Sequence, residues 1–233
     1  MGPTPILAFA STKGGVGKTT LAFCLATVLA RRITGMPEGQ LTDTPVFCID
    51  ADPNQTLHQT IRRGQPEGVA TDVANNESLL GAVTEASRRA QLVMIDLEGS
   101  SNQAMLYACG KASLVLIPAQ PSQFDVVEAM KTHAVVGRAS DLTGRNIACR
   151  VVLTRVPVLR QRVAQHSREQ FVKRGLPLLS AELVERAAFR MMSYTGKPPE
   201  EDDPEGGAAE NVRALADEVA GLLGMPTWQR VAA

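Results

Sequence analysis

Between an apolar run, Pro5–Ala10, and a stretch of helical periodicity, Lys18–Arg32, the chain reads Lys13-Gly14-Gly15-Val16-Gly17-Lys18-Thr19-Thr20. Glycines crowd this segment, and a lysine and two threonines close it, so few conformations suit it. Consecutive glycines let backbone N–H groups turn inward into a concave anion nest, and the N-terminus of the following helix adds a favourable dipole. Lys18 can reach the terminal phosphates of a nucleotide, and the Thr19 hydroxyl can join the shell of an octahedral Mg²⁺. A phosphate-binding turn at the end of a buried strand is expected.

The rest of the chain keeps that strand–helix rhythm. Further strands are expected at Val46–Asp50, Leu92–Asp96, Leu114–Pro118, Ile147–Thr154 and, briefly, near Leu176–Leu179. Helices are expected at Gln55–Arg63, Glu77–Arg89, Asn102–Ala108, Asp125–Arg138, Gln161–Lys173 and Glu210–Leu223. Short buried strands alternating with helices imply a mostly parallel sheet covered on both faces. The fold class is α/β, one domain over residues 1–224 with a flexible tail at 225–233. Gly35–Pro45 reads as a long surface loop, and Thr195–Gly207, rich in Gly, Pro and acids, as a mobile one.

Composition narrows the function classes. Of 233 residues, 44% are hydrophobic and 21% charged, which argues against disorder. No run is long and apolar enough for a membrane helix, and the N-terminus lacks the pattern of an export signal, so a cytoplasmic protein is expected. Cys24, Cys48, Cys109 and Cys149 lie far apart in apolar surroundings and read as buried free thiols. Aromatics are only 4%, which disfavours base stacking on aromatic platforms. The net charge of zero conceals an asymmetry: from Lys131 to Lys197 there are 13 Lys/Arg against 4 Asp/Glu. A basic surface in the C-terminal half is a candidate polyanion contact.

Taken from Thr12, the loop nearly fits G-x-x-x-x-G-K-[ST], the P-loop, with Thr12 where the first glycine usually stands. Lys13 is not required by that pattern, since Lys18 already neutralises charge. Here the chain resembles the deviant Walker A ATPases of the ParA/MinD type, whose loop reads K-G-G-x-G-K-[ST]-[ST]. Lys13–Thr20 matches every fixed position. The resemblance implies a single-domain P-loop NTPase using ATP and Mg²⁺. It assigns Gly14, Gly15, Val16, Gly17, Lys18, Thr19 and Thr20 to the nucleotide, and Lys13 to the nucleotide of a partner subunit in an ATP-sandwiched dimer.

Other segments extend the likeness over roughly residues 5–220. Val46–Pro53 resembles a second strand ending in D-x-D-P, which implies Asp50 in the outer metal shell and Asp52 as the residue activating water. Leu92–Asp96 has the Walker B form, so Asp96 joins Thr19 and Asp50 around the metal. It continues Leu97-Glu98-Gly99-Ser100, a departure from the commoner D-x-P-P that is similar to the D-x-x-G of small partition ATPases. Leu116–Asp125 resembles the V-x-P-x-x-P-S-x-x-D exit of a later strand. Val152-Leu153-Thr154-Arg155 resembles a strand ending near the adenine, which implies Thr154 and Arg155 in the base site. Gly196-Lys197-Pro198 and Gly207–Val219 are similar to the family's C-terminal pattern.

The nearest likeness is to small ParA-like plasmid partition proteins and to accessory ATPases of T-DNA and plasmid transfer. It implies an ATP-driven switch: a homodimer that binds DNA without sequence preference, associates with the nucleoid and hydrolyses ATP slowly until a ParB-like or other adaptor stimulates it. DNA-contact candidates are Arg160, Arg162, Arg168, Lys173, Arg174 and Arg190. The first strand begins close to Met1, so no operator-binding helix-turn-helix is expected before it. Three rivals share the loop. A MinD-like membrane-associated ATPase needs a basic amphipathic tail, whereas Leu222–Arg230 is broken by Gly and Pro. An iron–sulfur carrier needs cysteines at a dimer axis, and a metabolic P-loop enzyme needs a second substrate motif. Neither feature is visible.

Overall fold

The computed structural model describes residues 3–35, 44–99, 102–159 and 162–225. In chain order the elements are β1 (Ile6–Phe9), α1 (Lys18–Thr34), β2 (Thr44–Ala51), α2 (Thr56–Gly64), β3 (Val69–Val73), α3 (Leu79–Arg89), β4 (Ala90–Leu97) and α4 (Asn102–Lys111). There follow β5 (Leu114–Ala119), α5 (Gln123–Thr143), β6 (Ala148–Val156), α6 (Arg162–Lys173), β7 (Leu183–Val184), α7 (Ala187–Thr195), α8 (Pro199–Asp202) and α9 (Gly207–Leu222). The strands form one seven-stranded sheet in the order β3-β2-β4-β1-β5-β6-β7, every described pair parallel. This is the single-domain α/β P-loop NTPase architecture.

Strand periodicity divides the core. Along β1, Ile6 and Ala8 face one apolar layer with Val83 of α3, Met105 of α4, Val135 of α5 and Phe171 of α6. Leu7 and Phe9 face the other, with Leu25 of α1, Leu57 of α2, Met192 of α7 and Leu215 of α9. β1 is buried on both faces, as its unbroken apolar run requires. It lies between β4 and β5: the chain leaves β1 toward β2 on one side of it, and later crosses from β4 to β5 on the other. A crevice opens at the C-terminal ends of the strands at such a switch point, where α/β sheets bind ligands. All four cysteines are buried and free.

Four expectations need correction or extension. Leu176–Leu179 is not a strand: Pro177 interrupts it, and only Leu178 bridges to Val151. The seventh strand is Leu183–Val184 instead. Thr195–Gly207 is not a free loop, because it contains α8, whose Glu200 and Glu201 pair with Arg31 at 3.4 and 2.9 Å while Glu200 also meets Arg213. β3 and α7 are present without having been expected. Of the Gly35–Pro45 loop, residues 36–43 lie outside the described residues, as do Ser100, Arg160, Gln161 and the tail from 226 onward.

Candidate nucleotide site

The glycine turn follows β1 and delivers the chain into α1. Gly15 and Gly17 hold φ of 73° and 91°, a left-handed conformation that side chains rarely adopt. The turn is anchored from outside. The Thr154 hydroxyl of β6 donates to the Val16 carbonyl at 2.6 Å. The Thr12 N–H donates to Thr132 Oγ1 at 3.1 Å, and the Thr12 hydroxyl to Glu128 Oε2 at 2.7 Å. Gly99 presses on the turn so closely that a Cβ there would lie 3.1 Å from the Gly14 nitrogen. The result is a cavity of about 490 Å³ lined by Gly14, Gly15, Gly17, Lys18, Thr19 and Thr20, with Asp52, Asn54, Glu98, Gly99 and Arg155 around them.

Lys18 is buried, and its Nζ lies 3.4 Å from the Lys13 carbonyl oxygen, to which it donates. Burial pushes its pKa down, opposed by the charges of Asp96, Asp52 and Glu98. Thr19 donates its hydroxyl to Asp96 Oδ2 at 2.7 Å. Asp96 is fully buried at the end of β4, and burial lifts its pKa to about 7 against the Thr19 hydrogen bond, with the neighbouring Asp50 charge adding to the rise. Its other oxygen, Oδ1, is buried without a hydrogen-bond partner. A buried, unpartnered carboxylate oxygen beside the hydroxyl of a threonine that lines the cavity is the hard-oxygen donor set that suits Mg²⁺. The residues fit the ion.

Asp50 lies beside Asp96 in the β2–β4 register and is also buried. Its two oxygens accept the backbone N–H groups of Asp52 and His58, at 3.0 and 2.9 Å, so it fixes the turn into α2. Burial raises its pKa and these bonds oppose the rise. It lines an adjoining cavity of about 410 Å³, not the phosphate cavity. Asp52 lines both, its Oδ1 accepting from the backbone and side chain of Asn54 at 2.9 Å each.

Lys13 is turned away. It does not line the phosphate cavity, and its Nζ meets Asp125 Oδ2 at 2.7 Å in the first turn of α5. Asp125 is buried, accepts the Gln120 N–H at 3.1 Å and the Ser122 hydroxyl, and helps to cap α5. Ser122 and Asp125 form a capping arrangement that the sequence offers in the spacing S-x-x-D. The pairing with Lys13, 112 residues away, has no such local signal.

Thr154 and Arg155 lie where the phosphate cavity meets a second one of about 500 Å³, walled by Phe189, Arg190 and Tyr194 of α7 with Arg186 before it. Arg155 takes φ of 50°, uncommon for a residue with a side chain. Among the described residues, the polyanion candidates do not form one free cluster. Arg162 and Lys173 are exposed on α6, and Arg174, just past its end, donates to Gln170 of that helix. Arg168 pairs with Glu182 at 3.0 Å and Arg190, on α7, with Glu185 at 2.7 Å.

Fold and turn together define a P-loop nucleotide site that carries a second lysine outside its own cavity. Comparison with known proteins takes the assignment further. The family model described as VirC1 protein matches residues 4–197, and the chain belongs to this family, within the ParA/MinD type of ATPases. It is 29% identical to protein ParA of Rhizobium radiobacter over 195 residues, 82% of this chain and 83% of that one. Among solved structures it is similar to an ATP complex of a Cyanothece McdA variant, at TM-score 0.74 and 17% identity, covering 98% of this chain and all of the other. It is also similar to Pyrococcus horikoshii MinD complexed with Mg-ADP, at TM-score 0.69 and 20% identity over 94% of this chain and 97% of that one. Both show the fold.

Proposed function

We propose that this chain is an ATP-driven dimerising switch that positions a plasmid or another cargo. ATP is bound with its phosphates in the glycine turn, its terminal oxygens on Lys18 and its base toward the cavity between Arg155 and α7. Thr19 and Asp96 hold Mg²⁺, with Asp50 bracing the adjoining strand end. When bound, the ion neutralises phosphate charge. Asp52 orients the attacking water. Hydrolysis is slow alone and speeded by an adaptor, and the two-copy form binds DNA without sequence preference through exposed cations such as Arg162 and Lys173.

The observation that carries this reading is the position of Lys13. The loop holds two lysines, one inside its cavity and one directed past it to Asp125. A cation that does not serve its own phosphates is available to those of a second copy, where it acts like an arginine finger supplied in trans. The test is light scattering with ATP and Mg²⁺ on wild type, Asp52→Ala and Lys13→Ala. Asp52→Ala, unable to hydrolyse, should accumulate as dimer, and Lys13→Ala should bind nucleotide yet lose turnover. An Asp52→Ala protein that stays monomeric with ATP, or unchanged turnover in Lys13→Ala, refutes the reading.

A further inference from the structure

On the α3–α4–α5 layer, remote from the glycine turn, α4 and α5 end and the chain turns back into β5 and β6. Their last turns, with the first turn of α3, line a groove of about 420 Å³ whose large apolar residues are Leu80 of α3, Leu106 and Tyr107 of α4 and Leu142 of α5. Leu142 is 73% exposed and Leu80 38%, so this apolar surface is wet in the isolated chain. Contiguous exposed apolar surface of this kind marks interaction sites more often than single scattered residues do. The charged residues lining the groove are Lys111 and Arg145, with no acid among them. Arg145 is held in place, its Nη1 donating to the Gly110 carbonyl at 3.0 Å and its Nη2 to the Ala112 carbonyl at 3.2 Å. Those two bonds leave other guanidinium N–H groups to face a ligand.

We infer that this groove docks an amphipathic helical segment of an adaptor protein, one that places leucine-like side chains on Leu80, Leu106 and Leu142 and carboxylates against Lys111 and Arg145. An apolar floor edged by cations selects that chemistry: the floor takes anchors at helical spacing, and the rim rejects basic helices. The location suits the role. In a sandwich that buries the nucleotide face, this end of the molecule stays outside, so cargo can be held in both nucleotide states. The inference rests on the switch reading to the extent that it names the adaptor's seat.

The probe is a fluorescein-labelled peptide of about 15 residues, leucines at i, i+3/i+4 and i+7 on a glutamate–alanine background, with a lysine-substituted counterpart. Anisotropy is followed against the full-length protein and its Leu142→Ser and Lys111→Glu variants, both surface changes. The acidic peptide should bind wild type, weaken about tenfold in Leu142→Ser and weaken in Lys111→Glu, which should in turn favour the basic peptide. ATP-driven dimerisation and turnover, measured on the same variants, should be unchanged. Absence of binding, or equal binding to all three proteins, overturns the groove. If the wild type fails to dimerise with ATP while the peptide still binds as described, the switch reading falls and the groove stands.

Discussion

Asp125→Asn isolates the ion pair that holds Lys13. Asparagine keeps the shape of the side chain and an oxygen for the Gln120 N–H, and Ser122 can rotate its hydroxyl to accept from the new amide. What is lost is the charge facing Lys13 at 2.7 Å. Asp125 is buried but the Lys13 side chain is 36% exposed, so the pair is discounted for solvent screening to about 0.5–1 kcal/mol. For Lys13 to reach a second copy this pair must break, once in each subunit. Removing it therefore favours the dimer by about 1–2 kcal/mol, or about five- to thirtyfold in the dimerisation constant. The assay is sedimentation velocity with Mg²⁺ and a non-hydrolysable ATP analogue, for wild type, Asp125→Asn, Lys13→Ala and the double variant. The gain should vanish when Lys13 is absent, as a double-mutant cycle requires. A dimer no tighter in Asp125→Asn, or an equal gain in the Lys13→Ala background, refutes the reasoning.

Two further outcomes are expected at the same site. Thr154→Val removes the hydroxyl that donates to the Val16 carbonyl and leaves that carbonyl unpaired, so thermal unfolding should report a loss of about 1–2 kcal/mol, and calorimetry a weaker affinity for ATP. The carboxyl of Asp96 keeps its proton to about pH 7 in the folded, nucleotide-free chain but releases it near pH 4 when unfolded. Between those values the folded state binds more protons, so this group lowers stability as pH rises and its full penalty is present above pH 7. Urea titrations without Mg²⁺ or nucleotide should find Asp96→Asn less stable relative to wild type at pH 5 than at pH 8; a constant difference across that range contradicts the assignment.

The parts of the site that are local in sequence were legible, because a glycine turn, its flanking strand and its helix are specified by neighbouring residues. Lys18, Thr19 and Asp96 converge as expected, since parallel register fixes which strand ends meet. Asp50 and Asp52 share a strand end, but the sequence did not reveal that Asp50 would spend both oxygens on backbone N–H groups. β3 leaves little signal in the sequence because Val69-Ala70-Thr71-Asp72-Val73 is an edge strand of half-buried and exposed residues without the apolar run of its neighbours. α7 is short and starts without a side-chain cap, although Phe189, Met192 and the left-handed Gly196 offered a weak signal. The segment holding Glu200 and Glu201 reads as a mobile loop because nothing local in the sequence points to their partners, Arg31 and Arg213. Long-range pairing of charges carries no periodicity, so Lys13–Asp125 had to come from the fold.

One such long-range contact joins the two ends of the nucleotide site. Asp50 anchors the start of α2, and α2 ends at Gly64 against Gly196, the left-handed residue that closes α7. A Cβ on Gly64 would overlap the Gly196 carbonyl oxygen, a backbone atom that no side-chain rotation can remove. Arg63 reinforces the crossing by donating to the Ser193 carbonyl. Because α7 also walls the cavity assigned to the base, separating these helices displaces Phe189 and Tyr194 from it. Gly64→Ala should then cost about 1–3 kcal/mol of stability, seen as a lower thermal midpoint, and should weaken ATP more than inorganic triphosphate, which reaches only the glycine turn. Equal loss for both ligands would mean that the crossing supports the fold without shaping the base cavity, and an unchanged midpoint would mean that the two backbones can part freely.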